Sequence, residues 1–576
     1  MSTNKRTMPW LAVLLFLLIA SFTPTTVGAQ GGNGKIRDSK HNLSSSGKGP
    51  FKASSQADMC LFCHAPHKAR KQRAMWNRQD STQVYLTYSS STFKGDISQP
   101  NGSTKLCLSC HDGTIALGKV VSRASEISFA ASVRRLNAGP GFLGTNLRDD
   151  HPVSFGYSSS RGGTSPDFHA ASAILPPVRL DSNGEVQCTS CHDPHDNSLG
   201  QFLVTTDKGG ALCLACHNPR DWKASSHSLS TATWNHQGKQ PWSSDKYANV
   251  MDNACQNCHK PHGAGHPERL LAKDPEEDNC LDCHNGNVAS QNIAAEITGF
   301  SAHDVTNFNG LHDPAETPLT MSRHVECEDC HNPHTSKAGT ANAPNVPGPL
   351  FGVSGVNSSG VSVERISQGY ELCYKCHADN HGATNYVSRV IAQTNVRLEF
   401  DPTNPSMHPI EAQGKNPDVP SLLAPLTTAS RMACTDCHSS DRSPTFGGTG
   451  PRGPHGSRYR PILGLNYSTG NYVTESSANY ALCYKCHSRS SILNDQSFKL
   501  HDKHIRGERT PCSVCHDPHG IASSQGNPTN NSHLINFDKN VVTQNSRGRL
   551  EFIDQGRYRG TCNLNCHGED HDGENY

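Results

Sequence analysis

The sequence predicts a chain that is mostly coil, with short helices at recurring cysteine motifs, little strand, and a core not built mainly from side chains. Three observations predict it. In 576 residues the hydrophobic types make up only 34% and the aromatics 6%, while 49 glycines and 35 prolines interrupt long elements. Cysteine (24) and histidine (33) are abundant beyond any ordinary need. Between the cysteines run stretches such as Ala338 to Ser362, rich in Gly, Pro, Ser and Asn, that sustain neither a helical nor a strand period.

From the N-terminus, Lys5 and Arg6 precede an apolar run from Trp10 to Ala20, then Pro24 and the small-residue site Val27-Gly28-Ala29. This reads as a secretory signal peptide cut before Gln30. A retained membrane anchor fits less well, because the run falls short of the ~20 apolar residues a spanning helix needs. The chain is therefore expected to be exported, with no transmembrane helix in the mature part. Lysine and arginine (52) balance aspartate and glutamate (51), so no basic surface for nucleic acid is expected. The expected divisions are the signal at 1–29, a flexible Gly/Ser-rich leader at 30–57, sites 1–4 at 58–220, sites 5–6 at 221–300, sites 7–8 at 301–400 and sites 9–12 at 401–576.

The cysteines define the sites. Eleven pairs read C-x-x-C-H: Cys60/Cys63/His64, Cys107/Cys110/His111, Cys188/Cys191/His192, Cys213/Cys216/His217, Cys255/Cys258/His259, Cys280/Cys283/His284, Cys327/Cys330/His331, Cys373/Cys376/His377, Cys434/Cys437/His438, Cys483/Cys486/His487 and Cys512/Cys515/His516. The twelfth, Cys562/Cys566/His567, has one extra spacer residue. Two thiols one helical turn apart can add to the two vinyl groups on one edge of a haem, and the adjoining histidine then faces the iron. Zinc ribbons or a disulfide framework would also use paired cysteines, but neither demands a histidine after every second one. The expected cofactor is haem c, twelve groups covalently bound.

The motifs recur in pairs, as an array of di-haem units. The first member usually continues to a proline and a histidine, as in CLFCHAPH from Cys60 and CTSCHDPH from Cys188. After the twelve proximal histidines, twenty-one remain, against eight methionines of which Met1 and Met8 lie in the signal. Bis-histidine ligation is the economical reading, and it implies lower potentials than histidine/methionine ligation. The expected distal ligands are first the x-Pro-His residues His67, His195, His262, His334 and His519, each serving a neighbouring haem. His151, His227, His303, His324, His408, His455 and His504 complete the twelve. His41, His169, His236, His266, His312, His381, His501, His533 and His571 stand in reserve.

DDHPVSF from Asp149, VQCTSCHDPHDN from Val186, GPHGS from Gly453, YALCYKCHSRSSILNDQSFKLHDKH from Tyr480, PCSVCHDPHG from Pro511 and CNLNCHGEDH from Cys562 together resemble the doubled-CXXCH multihaem c-type cytochromes of dissimilatory metal-reducing bacteria. The resemblance spans most of the chain from Cys60 to His571. It implies an exported carrier, periplasmic, outer-membrane-associated or extracellular, passing respiratory electrons toward acceptors such as metal oxides. The ninth site departs from the paired pattern, since His438 is followed by Ser-Ser-Asp.

The reading is an electron-transfer protein rather than an enzyme. Its expected partners are other redox proteins or an extracellular acceptor, with an outer-membrane porin or further copies of the chain as alternatives. The rival is a multihaem oxidoreductase acting on nitrite, hydroxylamine or a sulfur oxyanion, which needs an open iron position.

Overall fold

The computed structural model describes residues 35–67, 75–132, 134–162, 165–242, 245–308 and 310–576. The expected signal peptide lies outside them. The chain is mostly turn and coil, with short helices and small antiparallel sheets. Hydrophobic burial is scattered through small clusters. One gathers Val356, Tyr374, Val396, Phe400 and Ile410, and another Val514, Phe537, Val542, Phe552 and Leu564.

Each of the eleven C-x-x-C-H motifs forms a helical turn, ranging from the 3-10 turn Cys60–Phe62 to the α-helix Gly102–His111. The local cause is one repeated bond. The histidine N–H donates to the carbonyl of the first cysteine four residues back, as at His64 (2.8 Å), His192 (3.0 Å), His284 (2.9 Å) and His516 (2.9 Å). This closure puts both thiols on one edge and the imidazole beyond them. Three turns are capped from inside, with Ser190, Asp329 and Asp436 accepting the N–H of Gln187, Glu326 and Ala433 at 2.9–3.0 Å.

The twelfth motif folds differently. Its extra residue moves the histidine to the fifth place after the first cysteine, where the same bond cannot reach it. Cys562 and Cys566 instead lie on the strand Gly560–Cys566, central in a four-stranded antiparallel sheet with Val542–Thr543, Glu551–Asp554 and Glu569–Asn575.

Buried arginines substitute for missing apolar core. Arg78 is fully buried and donates to the carbonyls of Leu117 (2.8 Å), Ser109 (3.0 Å) and Ala116 (3.0 Å), tying the second motif's helix to its following loop. Arg389 does the same for the eleventh motif through the carbonyls of Ser513, Asn536 and His516.

Two-residue ladders join segments distant in sequence. Ser301–Ala302 pairs with Gly456–Ser457, and Ser406–Met407 pairs with Gly520–Ile521. Both ladders adjoin histidines, at 303 and 455 and at 408 and 519. Glycine follows His455 and His519 because a third backbone segment, outside each ladder, comes so close. A Cβ on Gly456 would meet the Glu296 carbonyl oxygen at 1.9 Å, and one on Gly520 would meet that of Glu399 at 2.2 Å.

The leader expected to be flexible is held in place where it is described. Asn42 and Ser44 are fully buried, and the His41 ring stacks on Phe202 with centres 4.1 Å apart.

Candidate haem-binding sites

Opposite nearly every histidine of the eleven helical motifs stands a second histidine. Ring centres are 6.1 Å apart for His64 and His195, 6.0 Å for His111 and His41, 6.0 Å for His192 and His262, and 6.3 Å for His217 and His151. They are 6.2 Å apart for His259 and His334, His284 and His227, His377 and His303, and His438 and His519. His331 and His455 are 6.0 Å apart, and His516 and His501 6.5 Å. At the tenth site His408 lies close enough that its charge acts on His487.

These separations are too long for ring stacking and too regular for chance. Two metal–nitrogen bonds of about 2.0 Å, with the half-width of an imidazole on each side, account for them. Nδ1 is taken in most rings, which leaves Nε2 as the inward atom. His111 Nδ1 donates to the Gly141 carbonyl (2.6 Å), His192 to Gln201 (2.9 Å), His259 to Arg269 (2.9 Å), His331 to Pro349 (3.0 Å) and His438 to Pro461 (2.8 Å). Opposite them, His262 and His519 hold Nδ1 against Asp150 (3.0 Å) and Glu399 (2.9 Å). Such bonds set the tautomer and orientation that a metal-ligating imidazole requires. Glu399 raises His519, but burial disfavours the charged form of most of the other rings whose titration is shifted. It depresses His217 to about 3, helped by the charges of His151 and His259, and depresses His284, His377, His438 and His516 to about 4.

The second histidine follows a rule of position. His195, His262, His334 and His519 belong to the x-Pro-His tripeptides of motifs 3, 5, 7 and 11, and they face the histidines of motifs 1, 3, 5 and 9. Each reaches two motifs upstream. The proline of the same tripeptide serves the next site along. Its carbonyl accepts Nδ1 of His41 at Pro194 (3.2 Å), of His227 at Pro333 (2.9 Å) and of His408 at Pro518. Pro261 instead accepts the backbone N–H of His151 (2.8 Å). The ninth motif lacks the tripeptide, and Gly453-Pro454-His455 supplies it from further along the chain. Ser440 N–H donates to the Gly453 carbonyl (2.8 Å), which seats that segment beside the motif, and His455 then faces His331, again two motifs upstream.

Attachment edges run in chain order. The thiol of Cys107 lies against Cys188, Cys213 against Cys255, Cys280 against Cys327, Cys373 against Cys434 and Cys483 against Cys512. The second cysteines interact across the alternate junctions, Cys63 with Cys110, Cys191 with Cys216, Cys258 with Cys283, Cys330 with Cys376 and Cys437 with Cys486. Every helical motif therefore neighbours the one before and the one after it.

Three expected distal histidines stand elsewhere. His67 is exposed beside residues that are not described. His324 lies in a cluster of carboxylates. His504 donates Nδ1 to the Leu500 carbonyl (2.7 Å) and its ring stacks on Phe498. Their places opposite motif histidines are taken by His41 and His501, which sequence reasoning held in reserve. Neither carries a proline signature, so only their spacing before motifs 1 and 11 could have pointed to them.

The donor set fits haem at the eleven helical motifs. It does not fit at the twelfth. There Cys562 and Cys566 lie on a strand rather than a helical turn, both close enough to act on Cys515 of the eleventh motif, and His567 faces no second histidine among the described residues: its Nε2 is 2.9 Å from Asn471 Oδ1 and Tyr472 stacks on the ring.

A family model described as the doubled CXXCH motif matches residues 182–221 and 248–289, which hold sites 3–4 and 5–6. The chain is 24% identical over 318 residues to the multiheme cytochrome MtrA of Shewanella baltica (strain OS185), covering 55% of this chain and 70% of that protein. The chain is a multihaem c-type cytochrome. Its C-x-x-C-H motifs are sites of covalently bound haem c, and its coil-rich fold with short helices and small sheets is the scaffold that spaces them. Among the described residues of the cytochrome, no helix is long and apolar enough to cross a membrane.

Proposed function

We propose that this cytochrome carries respiratory electrons outside the cytoplasm along a single row of eleven bis-histidine haems, toward an extracellular acceptor such as a metal oxide. The facing histidine pairs, set on motifs that neighbour one another in chain order, carry the reading. Each bound haem supplies a one-electron ferric/ferrous couple. The protein's own part would be to hold each group by its two cysteines and to offer it a histidine from either side. It also holds successive attachment edges against one another. Closed axial positions leave no place for a small-molecule substrate, which argues against a nitrite- or hydroxylamine-type reductase. The twelfth motif is left out of the row because His567 faces Asn471 and Tyr472 rather than a second histidine.

The end carrying motif 1 is the more open, since Cys60 is the exposed thiol among the twenty-four. Exchange with a redox partner, with the acceptor or with a second copy of the chain is assigned to that end. Export, with residence in the periplasm or at the outer membrane, belongs to the same proposal and is supported by the signal expected at residues 1–29.

The test is His334→Ala. The haem that opens is expected at Cys255/Cys258, two motifs upstream of the substituted residue, and it should turn high-spin and bind cyanide while the others stay low-spin. Peptide mapping of the cyanide-sensitive haem to Cys327/Cys330, or an unchanged spin state, would contradict the assignment.

A further inference from the structure

Between sites 6 and 7 lies a group of side chains that electron transfer does not use. They form two overlapping triads, His312 with Glu326 and Asp329 and His324 with Glu316 and Asp329, the ligand atoms of each lying within 4.8 Å of one another. His312 Nδ1 is 3.3 Å from Glu326 Oε2, 3.9 Å from Asp329 Oδ1 and 4.0 Å from Glu316 Oε1. His324 Nε2 is 3.4 Å from Glu316 Oε2, 3.7 Å from Asp329 Oδ2 and 4.0 Å from Glu326 Oε2. Most of these are too long for hydrogen bonds. They match the spacing of atoms that share an ion, since two ligands each about 2.1 Å from one metal sit roughly 3–4 Å apart.

Buried valences point the same way. Glu326 is 2% exposed, and neither of its carboxylate oxygens has a hydrogen-bond partner among the described residues. Nδ1 of His312 and Oε1 of Glu316 are buried and equally unpartnered. A buried carboxylate without a compensating donor is costly unless a cation meets it. Asp329 is already satisfied, because it accepts the Glu326 N–H (2.9 Å) and pairs with Lys375 Nζ (2.8 Å). His324 donates Nδ1 to the Ser322 carbonyl (2.7 Å), which turns the Nε2 lone pair toward the carboxylates.

We infer that His312, His324, Glu316 and Glu326 form a non-haem site for one divalent first-row transition ion. Two imidazoles and two carboxylates suit Zn²⁺, Fe²⁺ or Mn²⁺. Calcium and magnesium take oxygen ligands, and copper(I) prefers sulfur. Two carboxylates balance the charge of the ion with both histidines neutral. Glu326 immediately precedes Cys327 of site 7. The His312 backbone is fixed to the site 6 side, its N–H donating to Glu276 (2.8 Å) and its carbonyl accepting from Arg269 (2.5 Å). The ion therefore braces the junction of two consecutive haem sites.

The holoprotein, stripped with a chelator and titrated with zinc chloride, is expected to retain one zinc per chain. The zinc absorption edge should report mixed imidazole and carboxylate ligation. His312→Gln with His324→Gln should lose that zinc without changing the haem count, and Glu316→Gln, which lies on the loop away from the motif helix, should weaken binding at least about tenfold. No stoichiometric zinc in the wild-type chain would overturn the site and leave an ion-paired cluster with protonated histidines. Zinc retained by the double variant would overturn it too. Should that variant fail to assemble, the wild-type stoichiometry and Glu316→Gln decide. Neither result depends on where electrons go.

Discussion

Replacing Cys280 and Cys283 with alanine is expected to cut the row in two. With the protein tethered to an electrode through the start of its mature chain, the haems of sites 1–5 should be reduced at the wild-type rate. Those beyond the sixth motif should lag far behind, although a soluble reductant still reaches them. The expectation follows from the junctions. Cys258 of site 5 meets Cys283, and Cys280 meets Cys327 of site 7, so the sixth motif is the shared neighbour of both. Among the described residues no cysteine of site 5 meets one of site 7 directly. Intact mass should fall by one haem, which separates loss of the link from loss of the fold. Full reduction of both halves at an unchanged rate would show that the row is bypassed.

Arg78→Met is the second large effect, and it falls on stability. The guanidinium is fully buried and satisfies three carbonyls, of Leu117, Ser109 and Ala116. Methionine keeps most of the apolar stem but leaves those oxygens without donors. Each unmade buried bond costs roughly 1–3 kcal/mol, so a loss of about 3–5 kcal/mol is expected, read as a lower denaturant midpoint. Site 2 should fail first, because Ser109 lies inside its helix. A change below about 1 kcal/mol would mean that water replaces the arginine at no cost.

The covalent chemistry was legible in the sequence because a C-x-x-C-H turn is local. Its thiols and imidazole are set by one bond between residues four apart, and eleven motifs fold that way. The coil-rich architecture was legible too, since a chain with so few apolar residues and so many glycines and prolines cannot build long elements. The twelfth motif shows where local reading stops. One inserted residue breaks the closing bond, and the sheet formed with Glu569–Asn575 then takes the segment as a strand.

The second histidines are set by how the chain wraps, which spacing alone does not give. The x-Pro-His tripeptides stood out as a class, yet which site each one faces depends on a reach of two motifs. The proline's own part, accepting from His41, His227 and His408, appears only when distant segments are brought together. His455 illustrates the same point, because its proline and histidine do the tripeptide's work from 17 residues beyond His438. His41 sits in a polar leader with no mark of its role, and the stacking on Phe202 that holds it is a long-range contact. His324 carried a plausible spacing but has three carboxylates within 4.0 Å, a placement that no sequence pattern announces.

Electron paramagnetic resonance of the fully oxidised, full-length holoprotein, read beside its intact mass, tests the central claim most directly. Eleven haem adducts are expected, with only low-spin ferric signals from paired imidazoles and no response to cyanide. Twelve adducts, or a substantial high-spin fraction that binds cyanide in the unmodified protein, would contradict the account.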